Sequence, residues 1–268
     1  ANVHLVPDSH IPTSETGTRH RTAERVARQI DVPVLTVSED MAVVAIHRRD
    51  QKYTLEPTQR VLARADQALT ILERYKNRLD AVSQTLSRLE VEDLVTLRDV
   101  ANVMQRAEMV MRIAEEIEGY VIELGDDGRL IMLQLEELTG GVDEDRRFVV
   151  KDYAPDLEVV SETLTGLERL DAEALLDVHT VADILGAHAH AELDTAMTTR
   201  GYRLLHKVPR VPETVSDRVI ERFGSLQKIM RASRSELEEV DGVGDVRAQA
   251  IKEGLSRLAE SSIMDRYV

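Results

Sequence analysis

A seven-residue repeat of apolar side chains restricts the fold of this chain more than any other feature. Apolar residues recur at Ala65, Leu72, Leu79 and Leu86, after Pro57. Because an α-helix turns once every 3.6 residues, this spacing puts the four side chains in one stripe. Proline is favoured in the first turn of a helix. The pattern predicts an amphipathic helix of about 30 residues whose stripe packs against other helices.

A second helical pattern follows the first. It begins at Leu94, ends near Gly119, and is followed by a turn at 125–128 and by short helices as far as Leu185. We interpret residues 57–199 as an all-α spine, and its apolar stripes as helix–helix core rather than as a cofactor site.

Composition excludes several classes of protein. Aromatic residues make up 3% of the chain, so its cores must be built mainly from aliphatic side chains. With no cysteine, disulfides and thiolate metal sites are excluded, and a cytoplasmic location is the simplest expectation. No apolar run approaches the roughly 20 residues of a membrane span, so we expect no membrane partner. The net charge of −15 lies mostly in residues 51–199, which leaves both ends free to approach phosphates.

Residues 1–56 show an α/β pattern. Val3–Val6 is short and apolar, Thr22–Ile30 has helical spacing, and 34–37 and 42–46 are rich in β-branched residues. A strand–helix–strand order of this kind predicts a largely parallel sheet with the helix on one face.

The last segment, residues 200–268, is separated from the spine by a proline-containing stretch. Pro209 and Pro212 bias the residues before them away from helix, so 200–212 is predicted to be an extended domain boundary.

The clearest local motif lies in residues 237–255. One helix is predicted to end near Val240 and another to begin after Gly244, with Gly242-Val243-Gly244 as the turn. Glycine permits close approach of another molecule, and the start of a helix favours an anion. Arg247 lies one turn along the second helix and could pair with a phosphate. A tight helical hairpin without a ligand is the alternative.

A second candidate for phosphate binding is the segment Thr13–Arg25, which we call the phosphate loop. Gly17 permits a sharp turn, and hydroxyl, imidazole and guanidinium groups follow at Thr18, Arg19, His20, Arg21 and Thr22. Such groups at a helix start could hold a triphosphate. A solvated basic loop is the alternative.

Together the two motifs resemble a known family. Residues 11–25 are similar to the second signature of diadenylate cyclase domains, and residues 240–248 to a helix-hairpin-helix element. In this order, with a helical spine between them, they resemble the DNA-integrity scanning diadenylate cyclases. The expected architecture is a partial α/β cyclase domain (1–56), a helical spine (57–199) and a helix-hairpin-helix domain (200–268).

The resemblance implies roles for individual residues. It implies that Leu5 lines an adenine pocket and that Glu39 holds Mg²⁺ or Mn²⁺. ATP binding and catalysis would involve the phosphate loop, at Thr18, Arg19, His20, Arg21 and Thr22, with Arg19, His20 and Arg21 catalytic. DNA contacts are implied at Gly242, Val243, Gly244 and Arg247.

One signature of the family does not occur in the chain. The family's Asp-Gly-Ala motif supplies a catalytic aspartate, and the sequence has no Asp-Gly-Ala. We therefore expect the natural protein to have a further N-terminal part, and the chain by itself not to cyclise ATP.

The function implied by the resemblance is condensation of two ATP molecules into cyclic di-AMP, coupled to sensing of branched or damaged DNA. Because each domain holds one ATP, two domains must face each other, and the resemblance implies a homo-octamer. The alternative is a DNA-binding scaffold without catalysis. A metal site at His188 and His190 is disfavoured, because alternate residues do not share one face of a helix.

Overall fold

A computed structural model describes residues 3–38, 43–185 and 192–264. The chain divides into two compact units. One contains the residues up to 68 together with 117–132, and the other contains 69–116 together with the residues from 133 onward.

The first unit contains a helix and a small sheet. Helix α1 (Thr18–Ile30) precedes strands β1 (Val34–Ser38), β2 (Val43–Arg48) and β3 (Gln51–Leu55). The sheet has the order β1-β2-β3, and both pairs are antiparallel, with Leu35 opposite Ile46 and Ile46 opposite Tyr53.

The prediction of a largely parallel sheet was therefore wrong. Only residues 39–42 separate β1 from β2, whereas a parallel crossover needs a dozen or more residues. Residues 3–6 form no strand, and β3 was missed because Gln51–Leu55 is mostly polar and exposed.

Helix α1 packs against β1 and β2. Ala23 and Ala27 on the helix and Ala45 on the sheet are all buried, so small side chains allow this close approach. Leu35 and Val37 alternate with the half-buried residues of β1 and are 60% and 61% exposed.

The predicted helical spine is confirmed. Its long helices are α2 (Thr58–Glu92) and α3 (Leu97–Leu124), and the stripe residues Leu72, Leu79 and Leu86 are buried. A short 3₁₀ helix at Gly125–Gly128 then leads into five further helices: α4 (Arg129–Thr139), α5 (Val142–Tyr153), α6 (Val160–Glu168), α7 (Ala172–Leu176) and α8 (Val178–Ile184).

The C-terminal helices share one apolar core. They are α9 (Tyr202–His206), α10 (Glu213–Phe223), α11 (Leu226–Arg231), α12 (Arg234–Glu238) and α13 (Asp245–Met264). Leu205, Leu226, Leu237 and Ile251 lie in this core, and so does Phe148 from α5. The core of the C-terminal helices thus includes a residue of the spine.

The prediction that residues 200–212 are extended was also wrong, because this stretch contains α9. Gly201 has φ 108°, and Asp152 accepts hydrogen bonds from the amides of Gly201, Tyr202 and Arg203 at 2.6, 2.7 and 3.0 Å. A carboxylate about fifty residues earlier in the sequence therefore stabilises the start of α9.

Candidate functional site

The phosphate loop turns into α1 at Gly17. Its φ of 152° lies in a region that favours glycine. The first helical hydrogen bond runs from the amide of Arg21 to the carbonyl of Gly17, at 3.0 Å. The amides of Thr18, Arg19 and His20 therefore have no acceptor within the helix and can face an anion.

The side chains of this first turn lie in two environments. Arg19 and Arg21 are exposed, and among the described residues neither guanidinium forms an ion pair. His20 is half-buried, with Nδ1 3.4 Å from Oγ1 of Thr36 on β1. Thr22 donates through Oγ1 to the carbonyl of Thr18 at 2.9 Å. Within the described part of the chain the two arginines are thus unpaired and can bind a phosphate, while His20 lies against the sheet.

A buried carboxylate on α1 holds the residues that precede the helix. Glu24 accepts a short hydrogen bond from Oγ1 of Thr13 and lies 2.8 Å from Nη2 of Arg28. Burial raises the pKa of Glu24, but the hydrogen bond from Thr13 and the charge of Arg28 outweigh it and keep the pKa below its ordinary value. Arg25 also donates through Nε to the carbonyl of Ile11 at 2.9 Å.

A second histidine lies beneath His20. His47 on β2 is 1% exposed, and the two imidazole ring centres are 6.2 Å apart. Burial lowers the pKa of His47, which favours its neutral form. On β3, Lys52 forms an ion pair with Glu15 of the phosphate loop at 2.7 Å. Sequence patterns did not indicate the His20–His47 contact or the Lys52–Glu15 ion pair, because each joins residues from separate elements.

The remaining residues assigned to nucleotide binding are not brought together by the described structure. Leu5 lies in an irregular segment and is 50% exposed. Glu39 lies outside the described residues, as do His188 and His190. Within the described ranges, no group of three His, Cys, Asp or Glu side chains is placed to hold a metal ion.

The second candidate site is the hairpin, which we define as residues 237–255. Its turn lies between α12 and α13, as predicted. Val240 and Val243 are buried in the core, and the amide of Val243 donates to the carbonyl of Val240 at 2.9 Å. The Val243 side chain therefore stabilises the turn and is not available to DNA.

The glycines of the hairpin have different roles. Gly242 has φ +86°, and a Cβ there would lie 3.1 Å from Nη1 of Arg218. Nη1 of Arg218 donates hydrogen bonds to the carbonyl of Asp241 at 3.1 Å and to its Oδ2 at 2.8 Å. At Gly244 a Cβ would meet nothing within 4 Å. Gly242 is needed for the backbone conformation, whereas Gly244 leaves the helix start open.

The start of α13 can accept an anion. The amides of Arg247 and Ala248 both donate to the carbonyl of Gly244 at 2.9 Å, so the amides of Asp245 and Val246 precede the helical bonding pattern. Arg247 donates through Nη1 to the carbonyl of Gly242 at 2.6 Å. Its guanidinium therefore braces the turn beside these amides.

A buried ionic cluster links α2 and α5 to α9. Arg203 is 1% exposed and Glu90 0%, and they form a two-point ion pair, with 3.3 Å between Nε and Oε1. Tyr153 donates to Glu90 at 2.8 Å, and Arg203 donates to Oγ of Ser87 at 3.0 Å. Burial raises the pKa of Tyr153 well above its ordinary value, so its hydroxyl stays protonated.

Three known protein-family models match most of the chain. Residues 1–52 match the nucleotide-binding region of the DisA bacterial checkpoint controller, residues 55–193 match its linker region, and residues 204–263 match a helix-hairpin-helix motif.

Individual proteins similar to the chain point to the same family. The chain is 54% identical over 273 residues to the DNA integrity scanning protein DisA of Acidothermus cellulolyticus, covering 100% of the chain and 74% of the relative. It is 55% identical over 275 residues to that of Kineococcus radiotolerans, covering 76% of it. For Streptomyces coelicolor the identity is 54% over 274 residues, covering 73% of the relative.

The chain belongs to the DisA family. Its first domain is accordingly of the diadenylate cyclase, nucleotide-binding type, and its last carries a helix-hairpin-helix motif, as the resemblance implied. Within the described ranges, none of the helices combines the length and apolar character that crossing a bilayer requires.

Proposed function

We propose that the chain is part of a diadenylate cyclase that condenses two ATP molecules into cyclic di-AMP and responds to DNA structure. The observation that carries the proposal is the start of α1, where two exposed guanidiniums without ion-pair partners in the described residues flank unbonded amides. The DisA-type nucleotide-binding match over the same residues supports it.

In the proposed complex, the triphosphate of ATP lies at the N-terminus of α1. Arg19 and Arg21 bind phosphate oxygens through charge-assisted hydrogen bonds, and the amides of Thr18 and Arg19 favour the same charge. His20, held against Thr36, positions the bound nucleotide from the sheet side.

The proposed reaction joins two nucleotides and releases two pyrophosphates. Each ribose 3′-hydroxyl attacks the α-phosphorus of the other ATP, and the bond from that phosphorus to pyrophosphate breaks. The guanidiniums offset the charge that develops on the phosphoryl oxygens. Since each domain holds one ATP, two domains must face each other, so self-assembly is part of the proposal. The homo-octamer is the assembly that the family resemblance implies.

We include Mg²⁺ or Mn²⁺ as the cation of the substrate. It would enter with ATP, since Mg²⁺ binds substrate phosphate oxygens readily. Glu39 remains a proposed ligand.

The test of nucleotide binding is Arg19→Ala. Loss of charge-assisted hydrogen bonds should weaken ATP binding by roughly 10- to 100-fold. Arg48→Ala is the matched control, because it removes an exposed arginine from β2 of the same unit. Titration with a fluorescent ATP analogue measures both. Equal affinity of the Arg19 variant and the parent protein would contradict the proposal and favour a non-catalytic scaffold.

The proposed second function is sequence-nonspecific binding of DNA, branched DNA included, by the hairpin. The start of α13 would bind one phosphate through the amides of Asp245 and Val246. Contacts of this type reach the backbone rather than base edges, so binding should fall steeply with salt.

The test of DNA binding is Gly244→Glu, since a side chain there has open space and the new carboxylate repels phosphate. Affinity for a short duplex should fall ~10-fold or more. Gly119→Glu is the control, because it adds the same charge at another glycine with open space. Retained affinity in the Gly244 variant would contradict hairpin binding.

A further inference from the structure

A cleft of ≈ 480 Å³ lies beside the hairpin. One face of α13 forms its floor, and Arg210 and Arg234 line it from the segment after α9 and from the start of α12. Asp245 and Val246 also line the cleft, and their amides begin α13. The cleft is therefore continuous with the proposed phosphate site. We call it the arginine cleft.

The floor of the arginine cleft follows helical spacing. Val246, Ala250, Glu253 and Arg257 are separated by four, three and four residues, so they share one face of α13. At 1.5 Å per residue, this face extends for about 16 Å. Along the axis of duplex DNA one strand carries a phosphate every ~3.4 Å, and the spacing along the strand itself is longer, so the face can accompany a short run of phosphates.

The charges of the arginine cleft leave one guanidinium available. Asp245 is paired with Arg234, and Glu253 lies 3.9 Å from Arg257. Arg210 is exposed and, among the described residues, forms no ion pair. Its φ of 69° is unusual for a residue other than glycine. Pro209 precedes Arg210 and Pro212 follows it by two residues, so the backbone that presents this guanidinium to the cleft is restricted.

The apolar part of the floor suits the sugar of a nucleic acid. Val246 on this floor is 64% exposed, next to the amides that begin α13. A deoxyribose can pack on such a side chain while its phosphates reach the guanidiniums. Arginine binds phosphate with two parallel hydrogen bonds, and the cationic groups that line this cleft are all arginines.

We propose that the arginine cleft is a second DNA-binding surface, along which the phosphodiester strand bound at the hairpin continues over α13. Arg210 binds a phosphate of that strand, Arg257 exchanges its 3.9 Å contact with Glu253 for another, and Val246 packs against the sugars. The inference rests on the proposed binding of DNA by the hairpin and extends that site by several nucleotides.

The first test is the salt dependence of duplex binding. Arg210→Ala should weaken binding ~3- to 10-fold at low salt and reduce the slope of log affinity against log salt by about 0.9. Arg257→Ala should act in the same direction. Arg222→Ala is the matched control. It removes an exposed arginine from α10, another C-terminal helix, and Arg222 does not line the cleft.

The second test predicts a gain. Glu253→Gln removes a carboxylate from the cleft and releases Arg257, so binding should tighten about 2- to 5-fold. Glu260→Gln is the matched control, because it removes the same charge from the same helix outside the cleft. Thermal unfolding of each variant verifies that it folds.

The outcomes separate the two proposals. If Gly244→Glu lowers affinity while the cleft variants bind as the parent does, the arginine cleft proposal is overturned and the hairpin proposal stands. If neither set alters binding, both fail. Unchanged DNA binding with lost binding of polyglutamate would assign the cleft to an acidic protein partner and would also overturn the inference.

Discussion

At the scale of single residues, Asp152 shows how one side chain shapes the C-terminal helices. It is 1% exposed and accepts hydrogen bonds from the backbone amides that begin α9. Burial raises the pKa of Asp152 to about 7, and the charge of Glu90 acts in the same direction, although the amides favour the ionised form. The residue combines a structural role with a cost in free energy when it ionises.

This raised pKa predicts a pH dependence of stability. The pKa is higher in the folded state, at about 7, than its ordinary value of 3.8, so the folded protein binds more protons between these values. The free energy of unfolding therefore falls as pH rises from about 4 to about 7. Asp152→Asn cannot ionise and should flatten this part of the pH profile in chemical denaturation.

The control for this prediction is Asp156→Asn, an exposed aspartate that follows α5. It should leave the pH profile unchanged. A profile of the Asp152 variant that is as steep as that of the parent protein would show that another group is responsible.

At the scale of elements, two glycines of the hairpin differ in whether they tolerate a side chain: Gly244, just before α13, and Gly254, within it. A Cβ at Gly254 would lie 2.8 Å from the side chain of Val208, whereas at Gly244 it would meet nothing within 4 Å. Helix packing therefore requires Gly254, whereas Gly244 leaves space that a ligand can use.

We predict that alanine lowers the stability of the protein at Gly254 but not at Gly244. Gly254→Ala should lower the free energy of unfolding by about 1–3 kcal/mol, because the methyl group overpacks the core. Gly244→Ala should leave stability within about 0.5 kcal/mol of the parent protein. Thermal denaturation of both variants measures the difference, and equal melting temperatures would contradict the packing argument.

At the scale of the whole molecule, the second unit joins spine and C-terminal helices in one core. Phe148 on α5 is 1% exposed and belongs to the apolar cluster of the C-terminal helices. The ion pair of Glu90 with Arg203 links α2 to α9 in the same unit. Such contacts favour cooperative unfolding of these helices over independent unfolding of a tethered domain.

Phe148→Ala tests this cooperativity. Removal of the ring from the shared core should lower the free energy of unfolding by about 3–5 kcal/mol. Amide hydrogen exchange should then accelerate in α5 and in the C-terminal helices together. Leu133→Ala, at a residue that is 51% exposed on α4, is the control and should change exchange little. Faster exchange in α5 alone would contradict a shared core.

The sequence by itself predicted the features that depend on local pattern. The spine helices follow from apolar spacing, because a helix forms its hydrogen bonds within one segment. The hairpin turn follows from Gly242, since only glycine adopts positive φ at little cost, and from Gly244, which leaves the helix start open. The family resemblance rested on such contiguous motifs, and the comparisons confirm it.

Only the tertiary structure decided the features that join distant residues. The sheet proved antiparallel because strand pairing depends on the length of the connection as well as on strand pattern. Helix α9 forms where prolines suggested an extended chain, because Asp152 bonds to its first amides from 49 residues away. The arginine cleft likewise brings together Arg210, Arg234 and Arg257, which no spacing rule connects. Local hydrogen bonding is visible in a sequence, whereas the burial of one segment against another is set only when the chain folds.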